Sequence, residues 1–169
     1  MNGPEPQPPV DIVIEDERWI DAKLEELAIR AVSATAHYLG MDHVEVVVLG
    51  CDDDRIAGLN EHFRGKPKPT NVLSWPTVQA AAREPGARPH PPADPEGPVE
   101  LGDIAISFDT CQREAEQQRK PMADHVVHLL VHATLHLIGY DHEIDADAET
   151  MEQSERSILA HLGIPDPYQ

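Results

Sequence analysis

The chain has 169 residues, of which 13 are Lys or Arg and 31 are Asp or Glu, so its formal net charge is −18. This length is enough for one domain with a sizeable hydrophobic core and too short for two domains of ordinary size. So acidic a chain argues against a broad nucleic-acid-binding surface, because binding phosphates needs a positively charged surface, but it does not exclude a small local one. The apolar share of 40% excludes a wholly disordered chain.

Cysteine usage and the N-terminus indicate a cytoplasmic protein. Cys51 and Cys111 form no C-x-x-C pair, which argues against a disulfide scaffold and against a cysteine-rich zinc finger. No apolar run approaches the roughly 18 residues that a membrane span needs. Arg18 is the first basic residue, whereas a secretory signal begins with positive charge, so we expect no signal peptide.

Proline-rich stretches divide the chain. Four prolines among the first nine residues predict a disordered N-terminal segment over 1–10. We expect a single domain over 11–169. Residues 77–98 are rich in proline and almost lack large apolar side chains, which predicts a loop insertion rather than a linker between domains, because neither side has a complete core alone.

Periodicity predicts the elements. Apolar residues near a 3.6-residue period indicate one amphipathic helix from Ile20 to Leu39. Alternating valines predict a strand over 43–49. The acidic run at 52–54 invites a metal interpretation, but acidic residues that begin a helix explain it better. Further strands are expected at 71–75 and 99–107, and helices at 122–138 and 145–162.

The helix predicted at 122–138 is apolar nearly all round, so it should be the central buried helix. The order of the elements predicts an α+β fold, in which a small mixed β-sheet is covered by helices.

A metal motif lies on this buried helix and just after it. His132 and His136 are four residues apart on one helix face. Gly139 permits a sharp turn that returns His142 to them. The spacing H-x-x-x-H-x-x-G-x-x-H is that of the metzincin zinc signature. Three imidazoles leave a fourth position for water, and zinc is the metal that they favour, although nickel, copper or cobalt could bind the same nitrogens.

The residue after the first ligand decides which chemistry to expect. A zinc protease of this class needs Glu there as its general base, but this chain has Ala133. Asp141 could orient a ligand histidine or could be a turn residue. His128, one turn before His132, could line the site or donate to a ligand, but such a residue is more often a buried structural histidine, and the same holds for His125.

A basic segment stands out in this acidic chain. Arg64, Lys66 and Lys68 fall within five positions, between prolines and a glycine that forbid a helix. Basic side chains on a stiff loop beside a metal would bind phosphates, whereas the alternative is a solvated surface loop.

Three segments resemble signatures of the YbeY endoribonuclease (rRNA maturation factor) family. HATLHLIGYDH at 132–142 resembles its pattern H-G-x-L-H-L-x-G-Y-D-H. Residues 59–75 are similar to its signature R-G-K-D-K-P-T-N-V-L-S-F-P, and 101–104 matches a third. The resemblance runs from about residue 43 to the end, apart from the insertion. Ala133 replaces Gly, Trp75 replaces Phe, and Pro67 stands where the family usually has Asp.

The resemblance implies a single-domain α+β metalloprotein that cleaves single-stranded RNA. Its role would be maturation of the 3′ end of small-subunit (16S) ribosomal RNA and ribosome quality control. The partners would be ribosomal RNA and the small ribosomal subunit with its basic proteins, and no membrane. One zinc ion would be held by His132, His136 and His142. Arg64 would act in catalysis. Arg64, Lys66 and Lys68 would contact the RNA substrate.

Two alternatives stay open. One is a non-catalytic ribosome-assembly factor with structural zinc, whose acidic surface would bind basic ribosomal proteins. The other is a metalloprotease, which Ala133 disfavours.

Overall fold

The computed structural model describes residues 8–79, 81, 83–92 and 97–168. Its helices and strands follow in chain order as β1 (Val10–Ile14), α1 (Arg18–Asp21), α2 (Leu24–Tyr38), β2 (Val44–Cys51), α3 (Asp53–Arg64), β3 (Val72–Pro76), β4 (Val99–Ser107), α4 (Phe108–Gln118), α5 (Met122–Ile138) and α6 (Asp145–His161).

The strands form one mixed sheet in the order β1-β2-β4-β3. β1, β2 and β4 are parallel, and β3 pairs antiparallel with β4 at the edge. β1 and β2 are joined through α1 and α2, and β2 and β4 through α3, β3 and the insertion, because parallel strands need a long crossover connection. This sheet and its helices confirm the α+β fold with a small mixed sheet.

One face of the sheet carries the main core. The inward valines of β2, Val44, Val46 and Val48, are buried, and α2 and α5 pack over this face. α5 also contacts β3, α4 and α6. The sequence therefore identifies the central buried helix correctly, with the same bounds, because its apolar residues surround nearly the whole helix.

The opposite face is covered only in part among the described residues. Ile56 of α3 packs on a small cluster with Cys51, Leu73 and Ala105. Asp52 accepts a hydrogen bond from the backbone N–H of Arg55 at 2.9 Å and so caps α3, which confirms the helix-start interpretation of 52–54. The remaining outward side chains of the sheet are exposed and mostly acidic: Asp11, Val13, Glu45, Val47, Glu100 and Asp103.

A β-bulge interrupts β4. Its register against β2 shifts after Glu45, because Leu101 is an extra residue at that point. Gly102 follows with φ +141°, and a Cβ there would lie 2.1 Å from the carbonyl oxygen of Trp75. Glycine is the residue that this close approach permits.

The helix predicted from Ile20 to Leu39 is in fact two helices. Lys23 has φ +60° and breaks it between α1 and α2. The break lets Trp19 and Leu24 both pack over Gly50 of β2, where a Cβ would meet either side chain within 2.7 Å. Ile20, predicted on the buried face, is 62% exposed as a result.

Ordered structure also begins earlier than the predicted boundary at residue 10. Val10 is buried and begins β1, so the disordered segment predicted over 1–10 extends one residue too far at least. Residues 1–7 lie outside the described residues. Across the described ranges, no helix combines the length and the apolar run required to cross a bilayer.

The described part of the insertion at 77–98 holds no helix or strand, but it packs on the fold. The backbone N–H of Gly86 donates to Asp147 Oδ1 at 2.8 Å, and Thr150 Oγ1 donates to the carbonyl of Gly86 at 2.6 Å. Arg88 donates to Tyr38 Oη at 2.8 Å. These contacts attach the insertion to α6 and α2.

Candidate metal centre

α5 places His132 and His136 on one side of a buried helix. Most of its residues, Leu130, Leu135 and Leu137 among them, are buried in the core. His132 and His136 are only partly buried, so their rings project from the one side that the core does not cover. A helix fixed by so many apolar contacts is a rigid support for two imidazoles.

A turn at Gly139 brings the third histidine, His142, back toward the histidines of α5. Gly139 has φ +122° and ends α5, and the next residue, Tyr140, is buried and anchors the turn. The exposed ring of His142 then stacks beside His132, with ring centroids 5.3 Å apart and planes inclined by 25°. The hinge role predicted for the glycine agrees with this geometry.

The three histidines line one cleft, which we call the histidine cleft. Its volume is about 500 Å³. Residues from α3, β3, α5, the turn after α5 and the segment after α6 line it: Arg64, Asn71, Val72, Ser74, His128, Leu129, His132, Ala133, His136, Asp141, His142, Glu143 and Tyr168.

Two of the imidazoles have a hydrogen-bond partner at Nδ1. Ser74 Oγ of β3 lies 2.8 Å from Nδ1 of His136. Nδ1 of His132 is hydrogen-bonded to Oε1 of Glu155 on α6. Partners at Nδ1 leave Nε2 of each ring for a ligand, as in many metal sites where the other ring nitrogen is held by a hydroxyl or carboxylate.

Glu155 is a fully buried carboxylate that the sequence analysis missed. Its oxygens also accept from Tyr168 Oη, and His128 Nε2 lies 3.8 Å from Oε2. Burial alone would raise the pKa of Glu155, but the nearby imidazoles of His128 and His132 and the hydrogen bond from Tyr168 outweigh burial and lower that pKa to about 2. Glu155 is therefore ionised at neutral pH.

A signal for Glu155 was present in the sequence. Met151, Glu155 and Leu159 recur every four residues on α6, and all three are buried. A carboxylate at a core position needs a partner. Ser74 gave no comparable signal, since its role depends on a contact between β3 and α5.

His136 is held neutral by its surroundings. Burial lowers the pKa of His136, and the positive charge of Arg64 acts in the same direction. A neutral imidazole is the form that binds a metal.

The three imidazoles are ligands of the kind that zinc binds, and the distance between the rings of His132 and His142 suits one shared zinc ion. Two imidazoles on one tetrahedral zinc, with Zn–N distances of about 2.0 Å, place their ring centroids about 5 Å apart, close to the separation of His132 and His142. Within the described ranges, no three His, Cys, Asp or Glu side chains are already grouped to hold an ion.

Of the three basic residues singled out in the sequence, the structure places one in the histidine cleft and two outside the described lining. Arg64, the last residue of α3, lines the histidine cleft. Lys66 and Lys68 lie on the exposed loop that follows and are not among the described residues that line it. The backbone of this loop is held by Asn60, whose Nδ2 donates to the carbonyl of Lys68 at 3.0 Å.

The remaining candidates have distinct positions. Asp141 lines the cleft and its Oδ1 lies 3.5 Å from the backbone nitrogen of Glu143, which is a turn contact.

His125 is buried and contacts Glu114 at 2.9 Å, in agreement with a structural role. His128 lines the cleft, which is the alternative to a buried structural role that the sequence left open. Ala133 is buried and carries no proton-accepting group.

A family model described as "Endoribonuclease YbeY" matches residues 11–163. An endoribonuclease YbeY of Paracoccus denitrificans is 68% identical over 94% of this chain and 89% of its own length. The YbeY protein of Ruegeria sp. (strain TM1040) is 59% identical over 94% and 95%, and one of Rhodopseudomonas palustris is 46% identical over 95% and 82%.

A solution structure of a Thermotoga maritima protein matches the fold with a TM-score of 0.54. The match covers 95% of this chain and 99% of the Thermotoga protein, with 22% of the residues identical. At this identity the likeness concerns the fold alone. The family model and the curated relatives span nearly the whole chain, and the family match includes His132, His136 and His142. This chain therefore belongs to the YbeY endoribonuclease family.

Proposed function

We propose that this chain is a zinc-dependent endoribonuclease that cleaves single-stranded RNA. The observation that carries the proposal is that His132, His136 and His142 line one cleft together with Arg64, in a chain of an endoribonuclease family. Zinc held by these imidazoles would supply a water of lowered pKa and would polarise a phosphoryl oxygen.

The side chains of the cleft have separate tasks in this proposal. Arg64 pairs with the scissile phosphate and offsets the charge that builds on it during cleavage. Ser74 and Glu155 orient the imidazoles of His136 and His132. Lys66 and Lys68 bind phosphates of the same strand outside the cleft.

The cleft volume favours an unpaired nucleotide as the substrate unit. About 500 Å³ is in the range of sites that enclose one small molecule, and enzymes that recognise RNA by sequence or chemistry mostly act on unpaired segments. The proposed substrate is the 3′ end of small-subunit ribosomal RNA in the cytoplasm, with a role in ribosome quality control.

The acidic surface supports the proposed partners. Asp11, Glu45, Glu100 and Asp103 are exposed on the sheet face away from the cleft, and the formal net charge is −18. Such a surface repels RNA and attracts the basic proteins of the small ribosomal subunit. The same feature favours the second candidate function, a non-catalytic assembly factor with structural zinc. A protease is disfavoured by Ala133, since it lacks the general base.

Replacing His136 by Ala tests the proposal. We expect the full-length variant to lose most of its bound zinc and its cleavage of a single-stranded RNA, while a duplex of the same sequence is cut by neither protein. Zinc is measured by elemental analysis and cleavage by gel electrophoresis, with and without a chelator.

His90→Ala is the matched control, because His90 is exposed on the insertion and lies outside the cleft lining. It should keep both zinc and activity. Undiminished cleavage by zinc-free His136→Ala would overturn zinc dependence. Zinc binding without any RNA cleavage by the unmodified chain would favour the assembly factor.

A further inference from the structure

A buried carboxylate connects three elements behind the histidine cleft. Glu155 projects from α6 and has no exposed surface. Its Oε1 is hydrogen-bonded to Nδ1 of His132 on α5, and its Oε2 to the hydroxyl of Tyr168 after α6. The metal motif and the basic loop contain neither Glu155 nor Tyr168.

The hydrogen-bond chemistry of these groups fixes where the protons are. The two contacts use different oxygens of one buried side chain, and carboxylate oxygens accept hydrogen bonds, so the nitrogen of His132 and the hydroxyl of Tyr168 are both placed as donors. Tyr168 donates its O–H, and His132 must carry a proton on Nδ1. A neutral His132 then has its lone pair on Nε2, the nitrogen that Glu155 does not contact.

Ser74 cannot impose the same condition on His136. A hydroxyl both donates and accepts, so the contact at 2.8 Å is compatible with either tautomer of that ring. The two imidazoles of α5 thus differ: a carboxylate determines the tautomer of His132, and a hydroxyl only orients the ring of His136.

Tyr168 is held in place by its own neighbours. Arg156 lies over its ring, with Cζ 5.4 Å from the centroid, and pairs with Asp166 at 3.1 Å. The backbone N–H of Tyr168 donates to Asp166 Oδ1 at 2.8 Å. The ring of Tyr168 also meets the edge of His128 at 5.7 Å. These contacts keep the hydroxyl directed at Oε2 of Glu155.

We propose that Glu155 is a positioning residue, which, held by Tyr168, fixes His132 as the Nδ1–H tautomer and so reserves Nε2 for the ligand of the histidine cleft. The statement about the tautomer stands on the chain alone. Its benefit for zinc binding rests on the function proposed above.

The exchange Glu155→Gln separates this role from simple packing. The amide has nearly the same shape but a single acceptor oxygen, so it cannot accept from both His132 and Tyr168. Where its NH₂ group faces Nδ1, the proton of His132 moves to Nε2 and blocks the lone pair. Tyr168→Phe leaves the carboxylate in place and should keep the tautomer.

The measurement is ¹⁵N NMR of the metal-free, full-length chain with labelled histidine, at a pH where imidazole is neutral. We expect Nδ1–H for His132 in the unmodified chain and in Tyr168→Phe, and a loss of that signature in Glu155→Gln. Zinc affinity, measured by competition with a chelating dye, should fall by about 10- to 100-fold in Glu155→Gln. Glu149→Gln, on the exposed side of α6, should change neither quantity.

An Nε2–H signature for His132 in the unmodified chain overturns the inference, and this result needs no variant to fold. A folded Glu155→Gln chain that keeps both the tautomer and the zinc affinity of the unmodified chain also overturns it. If the unmodified chain has the Nδ1–H tautomer but binds no zinc and cuts no RNA, the proposed function fails while the positioning role stands.

Discussion

Ser74 Oγ on the edge strand lies 2.8 Å from Nδ1 of His136 on the buried helix. The two residues belong to separate motifs of the sequence, and the packing of α5 against β3 brings them together. The contact ties the orientation of one candidate ligand to the position of the sheet edge.

Ser74→Ala should therefore weaken zinc binding without abolishing it. Removing the hydroxyl leaves Nδ1 of His136 without its partner, and we expect zinc affinity to fall about 10-fold. RNA cleavage should fall at limiting zinc and recover at saturating zinc. Chelator competition gives the affinity. Ser33→Ala, an exposed exchange on α2, should leave it unchanged, and equal affinities for the two variants would contradict the role of Ser74.

Arg64→Ala should separate zinc binding from catalysis. Arg64 lines the cleft, so its loss should lower kcat/KM for single-stranded RNA by about 100-fold, while zinc content stays the same. Arg30→Ala removes an equal charge from an exposed position on α2 and serves as the control. Lys66→Ala should raise KM more than it lowers kcat. If Arg64→Ala and Arg30→Ala cleave equally fast, Arg64 has no catalytic role.

Asp53→Asn should reduce the stability of the fold in a pH-dependent way. Burial opposes ionisation of Asp53, but hydrogen bonds from Ser107 and Thr110, both at 2.6 Å, and from Arg113 at 2.9 Å outweigh it and lower its pKa. The stabilisation is thus fully present above the unfolded pKa of about 3.9. It is lost as the pH falls through the lower folded pKa.

We expect Asp53→Asn to lower the free energy of unfolding by about 1–3 kcal/mol at pH 7. The difference from the unmodified chain should narrow below about pH 4. Urea denaturation followed by circular dichroism at several pH values measures both effects. Asp54→Asn, an exposed neighbour, is the control. A loss that is constant with pH would show that the carboxylate charge is not the cause.

Thr150→Val should detach the insertion from α6. The Oγ1 of Thr150 donates to the carbonyl of Gly86, and the exchange removes that donor while it keeps the shape of the side chain. We expect faster proteolytic cleavage within 83–92, followed by mass spectrometry, and little change in the melting temperature. Thr77→Val is a control on an exposed residue outside this contact. Unchanged cleavage rates would mean that other contacts hold the insertion.

Local chemistry accounts for what the sequence predicted well. α5 and β4 have the predicted bounds because their apolar patterns and flanking residues are local signals. Asp52 begins α3 for the same reason. The structure places the three predicted histidine ligands and Arg64 along one cleft, and their binding of a metal and of RNA stays a prediction.

The remaining features depend on tertiary packing. The break at Lys23 follows from the need to place Trp19 and Leu24 over one glycine, which no helical period reveals. Glu155 and Ser74 contact the imidazoles across 23 and 62 positions of sequence. Such pairs are set by how helices and strands pack, and a single sequence does not specify that packing.

The bulge in β4 has a consequence for the distant imidazole. Pro76 pairs with Gly102, and Ser74 with Ile104, so the crowded carbonyl of Trp75 adjoins the serine that holds His136. A methyl group at position 102 would push this stretch of the edge strand outward and draw the hydroxyl away from the ring. The position of the Ser74 hydroxyl beside His136 thus depends on the absence of a single carbon atom on the neighbouring strand.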